Sequence, residues 1–345
     1  MTTHQEKIAV VMLNLGGPTG METIRPFLYN FFMDKNIVRA PLPVRWLLAQ
    51  WISITRSRGA AKESYSHFNG VSPLLENTRA QATALEQSLA DEYPHAKVFI
   101  AMRYWHPFAD ETVKAVKDFA PDKIILLPLY PQFSTTTTLS AFENWRQAAA
   151  RGGLDVPTHS VCCYPEDAGF IAASADLIGK AVEGVDKPYR LLFSAHGLPE
   201  QIILAGDPYA DQCRNTAEAI VNKLNLSVLY WKLCYQSRIG RLKWIGPSID
   251  ETLQAAARDG VGVVIYPSAF VSEHVETLVE LDIEYKERAE KLGIPFYIRV
   301  PTVSTHPWFI AGLKNLVAAA VHGDVCDKTC PQKCSVCYEG AKEAS

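Results

Sequence analysis

The sequence predicts an α/β protein built as two similar halves, each around a parallel sheet, with a cleft between them. Three observations carry this. Short β-branched runs at residues 8–14, 98–103, 123–127, 190–194 and 261–266 have the length and composition of buried strands. Helical patterns fall between them, as at 77–92 and 168–182, and strands that alternate with helices imply a parallel sheet covered on both faces. The chain also echoes itself. Lys123-Ile-Ile-Leu-Leu-Pro-Leu-Tyr-Pro131 resembles Val263-Val-Ile-Tyr-Pro-Ser-Ala-Phe270, and both Arg103-Tyr-Trp-His106 and Ser194-Ala-His196 follow strands.

Arg151-Gly-Gly153 and Pro157 interrupt the helical pattern and set the expected division. It gives an N-terminal half over residues 1–150, a C-terminal half over 151–322 and a cysteine-rich tail over 323–345. The totals agree with a globular protein: 345 residues, 48% hydrophobic and 21% charged. A formal net charge of −3 gives no field that attracts nucleic acid. No run approaches the ~18 apolar residues of a spanning helix. The polar start of the chain lacks a secretory pattern, so the expected compartment is the cytoplasm.

The first strand, 8–14, runs into Leu13-Asn-Leu-Gly-Gly-Pro18. This glycine turn has neither dinucleotide nor P-loop spacing, so a nucleotide site is weakly supported. Residues 37–57 fit neither periodicity. Val38, Leu42, Val44, Trp46, Leu47, Leu48, Trp51, Ile52 and Ile54 lie among Arg39, Arg45, Arg56 and Arg58. Two readings stay open there. One is a buried core helix. The other is an apolar lip that admits a flat greasy ligand or touches a membrane surface, its arginines pairing with carboxylates.

In the second half a buried strand ends at Ser194, and His196 emerges before Gly197. The carboxyl end of a parallel strand is where such sheets place chemistry, and imidazole suits both metal binding and proton abstraction near neutral pH. The segment from Ser272 to Tyr285 reads as a helix with Ser272 as N-cap. Glu276, Glu280 and Glu284 recur every four residues on one face, and Glu273 and His274 begin the same row. Like charges at this spacing cost roughly 0.2–0.5 kcal/mol per pair. Such a ladder either faces bulk solvent or handles cations or protons.

Eight cysteines are present, four of them at Cys326, Cys330, Cys334 and Cys337. In a reducing compartment a tight cluster reads as metal ligands rather than disulfides. Four thiolates hold zinc or an iron–sulfur cluster, and the close, nearly even spacing fits a cluster better.

Taken together the motifs resemble the ferrochelatase family. The matching stretches are Leu13-Asn-Leu-Gly-Gly-Pro18, Arg103-Tyr-Trp-His-Pro107, Leu129-Tyr-Pro-Gln-Phe-Ser134, Phe193-Ser-Ala-His-Gly-Leu-Pro199, Gly206-Asp-Pro-Tyr209, Trp244-Ile-Gly-Pro247 and the acidic segment from Ala269 to Tyr285. They occur in the family's order over roughly residues 7 to 320. The resemblance implies two Rossmann-like halves with a porphyrin in the cleft, and insertion of Fe²⁺ into protoporphyrin IX. It implies that His196 is the active-site histidine and that Glu276 is the carboxylate paired with it across the cleft. Glu273, His274, Glu280 and Glu284 are then a proton or metal path. Leu15, Arg103, Tyr104 and Trp244 are then pocket positions, residues 37–58 the lip, and Arg56, Arg58 and Ser72 candidates for the porphyrin propionates.

Some members of the family carry a C-terminal [2Fe–2S] cluster. In animal members one ligand lies mid-chain, but here Tyr130-Pro-Gln-Phe-Ser134 is followed by Thr135. The resemblance then implies that all four tail cysteines are ligands, with Cys162 or Cys163 as a body alternative to one of them. Peripheral contact with the inner membrane would run through the lip. Oligomeric state is left open.

Overall fold

The structure, a computed structural model, describes residues 6–225, 230–237 and 242–323. The chain forms two compact units, Met1–Cys163 with Leu313–Ser345, and Tyr164–Gly312. The first holds a parallel sheet of order β2-β1-β3-β4, from β1 (Ile8–Asn14), β2 (Ala96–Met102), β3 (Lys123–Pro128) and β4 (Thr158–Ser160). The second holds a parallel sheet of order β6-β5-β7-β8, from β5 (Tyr189–His196), β6 (Trp231–Gln236), β7 (Gly262–Pro267) and β8 (Tyr297–Arg299). The two orders are the same permutation, so the echo in the sequence is an echo in topology.

All five expected strands are present. β4, β6 and β8 were not legible: two are three residues long, and β6 mixes Trp, Lys, Cys, Tyr and Gln. The helical break expected near Arg151 is where the helix Ser140–Gly152 ends on Gly153, in the left-handed region at φ +59°. The chain then adds β4 to the first sheet before the units divide after Cys163.

Each sheet is buried at its centre because β1, β3, β5 and β7 carry apolar side chains on both faces. In the first unit Val11, Leu126, Phe142 and Trp145 share a core, and in the second Leu192, Leu253, Ile265 and Leu281 do so. The C-terminal part of the final helix is tied into the first unit, where Lys314 pairs with Glu92 at 3.3 Å and Lys123 donates to the Val321 carbonyl at 2.9 Å.

Strand register makes the correspondence between the units specific. Leu13 lies opposite Pro128 and Ala101, and Ser194 lies opposite Pro267 and Cys234. Two residues further on, Leu15 in the first unit therefore corresponds to His196 in the second, and Arg103 to Gln236. Likewise Leu126 lies opposite Ser160 where Ile265 lies opposite Arg299. A π-helix follows the third strand in both units, at Thr135–Leu139 and at Glu276–Glu284.

The lip segment is the helix Leu42–Arg58, and it is not the buried core helix that one reading allowed. Its buried residues are Ala49 and Ser53, while Leu42 (61% exposed), Leu47 and Trp51 (65%) face outward. Among the described residues no helix is long and apolar enough to cross a membrane. The tail cysteines Cys326, Cys330, Cys334 and Cys337 lie outside the described residues, and Cys162 and Cys163 are buried.

Candidate active site

In the second unit, β5 delivers His196 at its carboxyl end and the π-helix delivers Glu276. The imidazole Nδ1 and Glu276 Oε2 are 3.0 Å apart, with side chains 35% and 24% exposed. Both residues belong to the same unit, so the pair is made within one half of the chain. An ionised carboxylate accepts here, which places the proton on Nδ1 and leaves Nε2 for other chemistry. Burial opposes a charge on His196 most strongly. The Glu276 carboxylate, its hydrogen bond and Glu280 outweigh that effect and hold the imidazole pKa above its ordinary value.

Glu280 is one π-helical step beyond Glu276. Ser237 donates its hydroxyl to both Glu280 oxygens, at 2.7 and 3.0 Å, and Gln236 Nε2 donates to Glu280 Oε2 at 3.1 Å. Burial first, and then the neighbouring Glu276 charge, push the Glu280 carboxyl up to about 7. The site therefore holds a histidine held toward its charged form beside an acid that titrates near neutrality. Gln236 is fully buried and fixed by three contacts. Its amide oxygen accepts from Ser194 Oγ at 2.6 Å, and its nitrogen also donates to the Glu276 carbonyl at 3.3 Å.

The acidic segment departs from the expected α-helix in two ways. Ser272 does not cap it. The π-helix begins at Glu276, whose backbone N–H donates to His274 Nδ1 at 3.2 Å. That contact fixes the His274 lone pair on Nδ1, and burial, its largest influence, lowers the His274 pKa. Hydrogen bonds reaching five residues ahead widen the turn, so residues four apart such as Glu276, Glu280 and Glu284 stack more directly than on an α-helix. Glu273 leaves that row. Its Oε1 accepts from Arg299 Nη1 at 2.6 Å and from the Thr302 N–H at 2.9 Å. Burial works against the Glu273 charge, and Arg299 with these hydrogen bonds more than offsets it, holding the carboxyl below the usual range.

In the first unit, Asp34 gathers Arg103 and Tyr104. Asp34 Oδ2 accepts from Arg103 Nη2 at 2.9 Å, from the Tyr104 hydroxyl at 2.7 Å, and from Ser140 Oγ. The Arg103 guanidinium also donates to Ser140 Oγ at 2.7 Å and lies 4.8 Å over the Tyr104 ring. Arg103 remains 20% exposed, whereas Tyr104 is buried. Leu15 is half-buried at the end of β1, its carbonyl accepting from the Tyr104 N–H at 3.0 Å. Gly16, at φ +85°, makes the turn that follows. A Cβ on Gly17 would meet the Ser72 side chain at 2.4 Å, so Ser72 is packed beneath this turn and buried. Arg56 and Arg58 stand in the last turn of the lip helix, with no ion-pair partner among the described residues. Trp244 is half-buried in the second unit and bridges Pro199.

Sequence reasoning missed Gln236, Ser237, Asp282 and Arg299 in the second unit and Asp34 in the first. Gln236 ends β6 and Ser237 follows it, and β6 is a strand too mixed in composition to recognise. Asp34 carried one signal, a lone acid ending the apolar helix Ile24–Met33.

The ferrochelatase family model matches residues 7–321. The ferrochelatase of Caulobacter vibrioides (strain NA1000 / CB15N) is 51% identical over 320 residues, covering 92% of this chain and 91% of that protein. The ferrochelatase of Rickettsia bellii (strain OSU 85-389) is 43% identical over 347 residues, covering 98% and 96%. Among solved structures, SirB from Bacillus subtilis with Fe³⁺ superposes with a TM-score of 0.55 at 14% identity, covering 92% of this chain and 98% of that one. At that identity the likeness is one of fold alone. The family match over nearly the whole chain and the near-complete coverage of relatives at about half identity place it: the chain belongs to the ferrochelatase family.

Proposed function

We propose that the protein inserts Fe²⁺ into protoporphyrin IX, giving protohaem and two protons, the last step of haem synthesis. The observation that carries this is the His196–Glu276 pair at 3.0 Å, backed by Glu280, in a chain of this family. Two pyrrole N–H protons must leave before the metal sits in the ring plane. A flat macrocycle resists entry because its nitrogen lone pairs point inward. A site that bends the ring exposes a pyrrole nitrogen, with the distortion drawn from binding elsewhere on the ligand.

His196 and Glu276 take these protons or hand over the iron, through Nε2 and the carboxylate. The stacked Glu280 and Glu284 lead protons out or metal in, and His274 joins them as a neutral imidazole. Leu15, Arg103, Tyr104 and Trp244 shape the macrocycle's pocket, with Tyr104 acting from beneath through Arg103 and Asp34. Arg56, Arg58 and Ser72 meet the propionates. The outward apolar face of Leu42–Arg58 supports the lip reading and gives peripheral contact with a membrane surface.

The test is anaerobic Fe²⁺ insertion into protoporphyrin IX, followed as loss of porphyrin fluorescence, beside a His196→Ala variant. Turnover by the intact chain that vanishes in the variant is expected. Porphyrin binding with no turnover would instead make the protein a carrier.

The tail is proposed to hold a [2Fe–2S] cluster on Cys326, Cys330, Cys334 and Cys337, a donor set of four thiolates suited to it. Its distance in sequence from His196 fits a structural or sensing part. Cys334→Ser is expected to abolish the cluster's visible absorption; retained absorption removes Cys334 from the ligands.

A further inference from the structure

We infer that Arg299 is a positioning residue: reaching from β8, it pins the π-helix Glu276–Glu284 in the wide-turned register that sets Glu276 and Glu280 against His196 and Gln236. This rests on the function proposed above and adds a part to it.

A π-helix is rare and persists where its surroundings hold it. Here the two edge strands of the second sheet supply the holding groups. From β8, Tyr297 and Arg299 are two residues apart and share a face. The Tyr297 hydroxyl donates to the Leu281 carbonyl at 2.8 Å. Arg299 Nε and Nη2 donate to the two oxygens of Asp282 at 2.8 and 2.6 Å, and Nη1 donates to Glu273 at 2.6 Å. One planar guanidinium therefore ties the residue group just before the helix to its seventh residue, a fork-to-fork contact that lysine cannot reproduce. From β6, Gln236 donates to the Glu276 carbonyl. Glu273 is accordingly an anchor of the π-helix rather than a member of the relay.

The first unit provides an internal comparison. Where β8 has Tyr297 and Arg299, the corresponding residues of β4 are Thr158 and Ser160, too short to reach a neighbouring helix turn. The π-helix there runs for five residues, against nine in the second unit.

The experiment compares wild-type protein with Arg299→Met, Arg299→Lys, Tyr297→Phe and Asp282→Asn. Arg288→Met, which removes an exposed pairing between the following helix and Asp250 of the helix Ile249–Arg258, is the control. Two readings are taken. The first is amide hydrogen exchange of peptides covering residues 276–284, which needs no turnover. The second is kcat and the porphyrin KM for iron insertion.

Arg299→Met is expected to speed exchange in 276–284 while leaving β5 and β7 protected, and to lower kcat by about 10²-fold with KM unchanged. Arg299→Lys should recover part of both, and Tyr297→Phe and Asp282→Asn should show the same pattern more weakly. Should Arg299→Met not fold, those two milder variants carry the test. Wild-type exchange and kcat in the variants would overturn the inference, and so would loss of protection spread evenly over the whole second sheet. A wild-type protein without turnover would sink the proposed function, while the exchange reading would still decide the pinning.

Discussion

The two sheets share strand order, register and a π-helix after the third strand, yet the carboxyl ends of their strands are furnished differently. The second unit has His196 where the first has Leu15, and Gln236 where the first has Arg103. Thr137 and Glu276 both stand nine residues past the proline that ends the third strand. The first unit closes its charges on themselves, with Asp34 neutralising Arg103. The second leaves His196, Glu276 and Glu280 together, while Arg299 is set to the side on Glu273 and Asp282. One backbone plan thus carries a paired Arg103–Asp34 cluster at the strand ends of one half and the His196–Glu276–Glu280 cluster in the other. The difference is made by a few side chains at fixed register positions.

The largest test of that contrast is paired substitution. Glu276→Gln is expected to lower kcat by about 10²- to 10⁴-fold, the range for a lost proton-transfer group, while Thr137→Val leaves it unchanged. Equal losses at both positions in the same insertion assay would break the comparison.

Asp34→Asn comes next. It leaves the partly buried Arg103 guanidinium without its carboxylate, so chemical denaturation should show a loss of about 2 kcal/mol. Released from Asp34 and Ser140, Arg103 should also raise the porphyrin KM, with kcat kept. A fall in kcat at constant KM would move Asp34 from positioning the ligand to the chemistry.

Glu280→Gln has the smallest effect and the most specific pH signature. The carboxyl is raised from 4.5 to about 7 in the folded protein. Between those values the native state holds a proton that the unfolded chain releases, so stability falls as pH rises through the window. Gln removes this cost, so at about pH 8 the variant should be more stable than wild type, with no gain in acid. Insertion should lose any rising limb near neutrality that reports Glu280. A variant no more stable at alkaline pH would show that the carboxylate is solvated in the native state.

Much of this was legible in the residues. Buried parallel strands must be apolar on both faces, so β1, β3, β5 and β7 announce themselves, and the repetition of β3 in β7 already indicated two similar halves. His196 was visible because a polar residue closing an apolar strand has few other reasons to be there, and the acidic ladder because it violates charge spacing. Family resemblance then supplied the partnership of His196 with Glu276.

Other features were decided only in three dimensions. Local pattern made the acidic segment an α-helix capped by Ser272. Donors from β6 and β8, some 40 residues earlier and 20 later in the chain, make it a π-helix instead. Glu273 looked like a rung of the ladder because spacing cannot report a cation that arrives from another strand. The lip could not be told from a core helix, since composition gives apolarity but not which way it faces. Periodicity is a local quantity; hydrogen-bond partners and exposure are set by contacts distant in sequence, and those contacts placed the charges of this site.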